Sequence, residues 1–173
     1  MNLVRSVLVS VCLFALAGFE VTARGRKPVP RFEDYPVKDI HQGPSDKLVF
    51  ETEDQKSAAT YYQAIADGGT SFAGHFAMVP LTCGKACISA DFIDTLTGKI
   101  IPGTISNSGW TEHHDAFREV EFRRGSRLIV FAGQIDQTGP MGWHFYLFDD
   151  GAFKRIHTIR TEDFRKPLTD WMK

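Results

Sequence analysis

Two cysteines four residues apart, in Cys83-Gly84-Lys85-Ala86-Cys87, constrain this chain more than any other feature. Helical spacing could also bring the two sulfurs together. Gly84 favours a turn instead, and the flanks alternate as strands do. A bond between Cys83 and Cys87 would close a short ring, worth about 2 kcal/mol on the chain-entropy estimate, less any strain. It would pin a tight loop between two strands and present Lys85 outward.

The N-terminus supports that pairing. Arg5 stands before an apolar run from Val7 to Leu16, and Val21-Thr22-Ala23 follows with the small residues of a cleavage site. The run is too short to span a bilayer, which needs about 20 residues. Leu16 to Gly18 has the spacing of a lipoprotein box, but Phe19 stands where that box needs cysteine. Residues 1–23 are therefore expected to be a removed signal peptide. The mature chain would be periplasmic or secreted, with no stable membrane insertion. Cys12 leaves with the signal, and Cys83 and Cys87 remain as an even pair in an oxidising compartment. Other uses of the pair fit less well. A metal site needs further ligands, with His75 the nearest, and thiolates seldom stay reduced outside the cytoplasm. A redox motif has two intervening residues and precedes a helix. A nucleophile needs an unpaired thiol.

Removing residues 1–23 from 173 leaves 150, the size of one domain able to bury a real core. The net charge of −1 argues against nucleic acid, which needs a concentrated basic face. The one basic patch, Arg24 to Lys27, falls at the new N-terminus and reads as a solvated tail.

Residues 24–46 are rich in proline and charge and read as an extended arm; residues 47–173 read as a single β-rich globular domain. Leu48 to Phe50 is a short strand candidate. Thr52 and Gln55 form a capping box. Ala58, Tyr61, Tyr62 and Ile65 recur at helical spacing before Gly68-Gly69, predicting one amphipathic helix over 53–67. From Gly74 the period is two. Pro80 places its strand at an edge or bulge. Asp94 to Gly98 is a hairpin-type connection into Ile100-Ile101, and 102–116 reads as a loop. Val120 to Arg123 is a half-buried strand, and Arg127 to Ala132 suits a central one. Gly133 to Gly142 reads as a second long loop. Trp143 to Phe148 is aromatic on both faces, and Asp149-Asp150-Gly151 signals a hairpin. Phe153, Ile156 and Ile159 repeat at three, which implies a bulge or a short helix. Residues 161–172 suit a terminal helix capped by Thr161. The sum is an α+β, β-rich fold: about seven mostly antiparallel strands, in a twisted sheet or small sandwich, after one helix.

At these residues the chain resembles a family of small, exported, uncharacterised bacterial proteins. The shared features are an aromatic-x-Gly-His-aromatic turn (Phe72 to Phe76), a Cys-Gly-x-x-Cys loop (Cys83 to Cys87) and a Thr-Gly-Lys hairpin (Asp94 to Lys99). Ser126 to Val130 and Phe145 to Phe153 fit the same pattern, so the likeness covers about 55–160. It implies fold and export, not an activity. A second likeness is architectural. Some periplasmic lysozyme inhibitors push a disulfide-closed loop between antiparallel strands into an enzyme cleft. The 83–87 loop is shorter than theirs and lacks their histidine.

Two functions follow. The first is a non-catalytic binding domain of the cell envelope, in its most concrete form an inhibitor or immunity-type protein acting on a wall-degrading enzyme or toxin. Gly84 and Lys85 would make contact with this second envelope protein, helped by Trp110 or Trp143. No cofactor is expected. The second is a metal-binding protein or metal-dependent hydrolase. Adjacent histidines on a loop can share an ion, so His113, His114 and Asp115 would hold it, with His75. No helix-borne HExxH, nucleophile elbow, phosphate loop or dinucleotide fingerprint is present.

Overall fold

The computed structural model describes residues 28–109, 120–149 and 151–161. The expected signal segment 1–23, the Arg24 to Lys27 patch, Asp150 and the expected terminal helix beyond Thr161 lie outside these residues.

The fold is α+β and β-rich. Its strands are β1 (Phe76–Gly84), β2 (Cys87–Asp94), β3 (Ile100–Ile101), β4 (Asn107–Ser108), β5 (Val120–Phe122), β6 (Leu128–Ile135), β7 (Met141–Asp149) and β8 (Ala152–Arg160). They form one open, twisted sheet in the order β1-β2-β4-β6-β7-β8, with β3 beside β2 and β5 beside β6. Every strand pairing is antiparallel. The two-residue β4, inside the expected 102–116 loop, joins the halves by pairing with Ile88 on one side and Ile135 on the other.

The sheet curls about this narrow join, so the halves face each other over an aromatic core. Phe92 of β2 lies 5.8 Å from the Phe148 ring of β7 and 5.0 Å from Phe153 of β8, although these strands are not neighbours. Phe72 fills the space between, 5.5 Å from Phe92 and 5.4 Å from Phe148. Because side chains alternate across a strand, each half has a second apolar face to cover. Behind β1–β3, Ala77, Val79, Ile93 and Ile100 pack on the helices. Behind β6–β8, Leu128, Val130, Trp143, Phe145 and Ile159 pack on the arm, whose Phe32 is buried among them.

The helical segment is two pieces, α1 (Glu53–Ser57) and α2 (Ala59–Asp67), rather than one. The capping box is present: Gln55 N–H donates to Thr52 Oγ1 and Thr52 N–H to Gln55 Oε1. The break at Ala58 has a local cause. Ser57 Oγ donates to the Asp54 carbonyl at 2.8 Å, sharing the acceptor of the Ala58 N–H, and such back-bonding bends helices. The Leu48–Phe50 strand candidate reduces to one bridge, Val49 with Lys99.

The arm runs along the 123–127 segment as far as Val37 and then passes Gly74 and Thr95, to whose carbonyls His41 N–H and Asp46 N–H donate. Val37 N–H donates to the Gly125 carbonyl and Arg127 N–H to that of Tyr35. Ser126 Oγ donates to the Phe32 carbonyl at 2.8 Å. Arg123 sits 4.5 Å above the Phe32 ring and pairs with Glu33.

Three sequence signals acquire their physical meaning here. Pro80 lies on β1, an edge strand, where its missing N–H leaves no gap in the ladder. Gly133 does not start a loop; it lies inside β6, and the connection shrinks to 136–140. A Cβ at Gly133 would come 2.2 Å from Asn107 Oδ1, so glycine admits the β4 join. The repeat of three in β8 is a bulge. Phe145 pairs with His157 and Tyr146 with Arg155, so Ile156 is the extra residue.

Candidate functional site

Two surfaces carry exposed charge in defined geometry, at opposite ends of the β1–β2 hairpin. At one end, Cys83 and Cys87 are joined, with Cα atoms 5.1 Å apart. Pairing runs from Thr82 with Ile88 to Gly84 with Cys87, leaving Cys83 as a bulge under the turn. Gly84 (φ 136°) and Ala86 (φ 52°) take positive φ around Lys85. The tip is braced from inside: Cys87 is buried beside Ser108 of β4, and Gly109 N–H donates to the Ala86 carbonyl at 3.1 Å. Residues 82–86 are exposed. Among the described residues Lys85 makes no ion pair. The result is a covalently closed, braced turn whose ammonium group makes no ion pair among the described residues.

At the other end, the curled sheet leaves a cleft of about 760 Å³ between the 94–102 segment and the β7–β8 turn. Phe76, Phe148, Ile100 and Ile101 form its floor. His75 enters β1 through a fixed turn, because Thr95 donates both its N–H and its Oγ1–H to the His75 carbonyl. Its ring tilts over Phe76 with centroids 4.2 Å apart. His75 Nε2 lies 3.9 Å from Asp94 Oδ1, too long for a hydrogen bond. The Asp94 carboxylate instead ties its own turn, accepting from Leu96 N–H at 3.0 Å and Thr97 Oγ1–H at 2.8 Å. Arg127 and Asp149 pair at 2.9 Å on the facing lip. Glu51 and Lys99 line the near lip with no ion pair among the described residues.

No protein-family model, curated protein or solved structure matches the chain. What the surfaces can do rests on their own geometry.

The structure places the expected site residues unevenly. Gly84 and Lys85 share the tip. Trp143 does not join them: it is 4 % exposed and packs against the arm, because the register of β7 turns residues 143 and 145 to that face. Its role as a surface contact gives way to packing. Trp110, His113, His114 and Asp115 lie outside the described residues. Among the described residues no three His, Cys, Asp or Glu side chains converge as metal ligands.

Two buried polar groups escape sequence reasoning. Asp91 falls on the polar side of the β2 alternation with Ser89, yet is buried and accepts from Tyr62 O–H at 2.6 Å and Gly103 N–H at 3.1 Å. Burial, reinforced by the Asp91 carboxylate, pushes the Tyr62 phenol well above its ordinary pKa. This pair ties α2 to β2. His144 is fully buried. Its Nε2 lies 3.1 Å from the Gly133 carbonyl and 3.2 Å from that of Pro140, so Nε2 carries the proton. Nδ1 is then free to accept from Thr158 Oγ1 at 3.3 Å. Burial holds the imidazole below its ordinary pKa, against the pull of the two carbonyls. For His144 the available signal was a polar residue inside an otherwise apolar strand; Asp91 carried none, because it continues the polar side begun by Ser89.

Proposed function

We propose that this chain is an exported, non-catalytic binding protein of the bacterial cell envelope, and that the 83–87 tip is what it presents to another envelope protein. Its concrete form is an inhibitor or immunity-type protein directed at a wall-degrading enzyme or toxin. One observation carries this reading: the tip is exposed, covalently closed and braced, with a cation at its apex that has no ion pair among the described residues. A loop already held in one shape loses little conformational entropy on docking. Enzymes that cleave glycan strands work with paired carboxylates in an open cleft. A narrow protrusion ending in an ammonium group is complementary to such a cleft in shape and charge.

The test is inhibition. Peptidoglycan hydrolysis by a panel of muramidases and toxin-type wall hydrolases is measured with oxidised protein, reduced protein and Lys85→Glu. At least one enzyme is expected to be inhibited, and Lys85→Glu to weaken inhibition by about tenfold or more. No inhibition across the panel, or inhibition that Lys85→Glu leaves intact, rejects the reading.

A further inference from the structure

We propose that the cleft at the far end of the β1–β2 hairpin binds a short zwitterionic peptide, carrying a free amino terminus and a free carboxylate. The site is distinct from the tip. Phe76 and Gly84 are the two ends of the nine-residue β1, roughly 25 Å apart at strand rise. Its volume of about 760 Å³ falls in the range of small-molecule sites, roughly 300–1,000 Å³.

The chemistry of the walls selects the ligand class. Three carboxylates (Glu51, Asp94, Asp149) face two fixed cations (Lys99, Arg127), so neither a polyanion nor a polycation is matched. Several of these charges are already committed. Arg127 and Asp149 hold each other, and Asp94 holds its turn. That leaves Glu51 and Lys99, of opposite sign on one lip; Val49, two residues before Glu51, bridges to Lys99. Opposed free charges beside an apolar floor match a molecule with both charges and a small apolar middle. A neutral sugar is poorly served. The aromatic floor residues, Phe76 and Phe148, are 8 % and 2 % exposed and show too little ring face for a sugar to stack on, and the lining has no amide side chain. In the arrangement we infer, Lys99 Nζ meets the ligand carboxylate and the Glu51 carboxylate meets its ammonium group, while His75 borders the pocket as a half-exposed polar wall.

The probe is alanyl-alanine, titrated into the purified chain and followed by amide chemical shifts. N-acetyl-alanyl-alanine, alanyl-alanine amide and N-acetylglucosamine are run alongside. Alanyl-alanine is expected to bind in the millimolar range or tighter, shifting amides at 94–101 and 148–151, and blocking either terminus should weaken it by about tenfold. Lys99→Gln should abolish the penalty for amidation alone, and Glu51→Gln the penalty for acetylation alone. This crossed pattern is one a merely destabilised cleft cannot produce. Lys85→Glu should leave the titration where it was, so this inference and the tip reading fail separately. Equal binding of the blocked peptides, preference for the sugar, or no shifts at about 10 mM alanyl-alanine overturns the proposal.

Discussion

The tip and the cleft sit at the two ends of the same pair of strands and are built in opposite ways. The tip is five consecutive residues closed by one covalent bond, with a single outside brace from Ser108 and Gly109. The cleft needs Glu51, His75, the 94–102 turn, Arg127 and the β7–β8 hairpin, brought together only when the sheet curls over Phe72, Phe92 and Phe148. A locally closed element keeps its shape when the rest of the fold loosens. An assembled one inherits every weakness of the core beneath it.

The largest test of that contrast is Phe148→Ala. Phe148 is 2 % exposed, forms part of the cleft floor and touches the rings of Phe72, Phe76, Phe92 and Phe153. Its removal is expected to cost about 3–5 kcal/mol in urea denaturation. Cleft binding should be lost under conditions where any tip-dependent inhibition survives; joint loss in a still-folded protein would erase the distinction.

Reduction of the disulfide is the converse. It should cost about 2 kcal/mol. Hydrogen exchange is expected to quicken at 81–88 and to stay unchanged at 129–147. Uniform quickening would show that the bond supports the whole sheet rather than its end.

Tyr62→Phe probes the joint between helix and hairpin. It leaves one buried oxygen of Asp91 without its donor and should cost about 1.5 kcal/mol. The effect is expected on the β1–β3 half alone, read as faster exchange in α2 and β2.

The smallest effect is with pH. A histidine held below its ordinary value of 6.5 binds fewer protons folded than unfolded. The stability due to neutral His144 is therefore complete above about pH 6.5 and is lost as the pH falls through and below it. Urea midpoints at about pH 7.5 and 5.5 should differ in that direction, and His144→Gln should flatten the difference. This group lies in β7, so the tip should show no such dependence.

The tip was legible in the sequence because its determinants are adjacent: a glycine, two cysteines and alternating flanks specify a closed hairpin without reference to the rest of the chain. The cap at Thr52 was legible for the same reason, and Pro80 and the repeat of three in β8 were narrowed to an edge or bulge and to a bulge or short helix. The long-range features were not. Gly133 read as a loop because nothing nearby shows that Asn107 must approach it. Trp143 read as a candidate contact because an aromatic strand shows two apolar faces, and only the packed arm decides that this face is covered. His75 had no acid–base partner within reach along the chain, and Asp94 comes near it only through the β1–β2 register.

Period, turn chemistry and cysteine spacing thus determined most of the longer strands, their antiparallel hairpin pairing and the closed tip, since each depends on residues a few positions apart. Tertiary structure alone decided that the sheet curls at a two-residue strand, that Asp91 and His144 are buried with partners, and that six distant charged or titratable side chains meet around one cleft. The reason is physical. Local conformation follows from short-range sterics and hydrogen bonding, whereas the site depends on which apolar faces cover each other, and many pairings of similar faces look alike in the sequence.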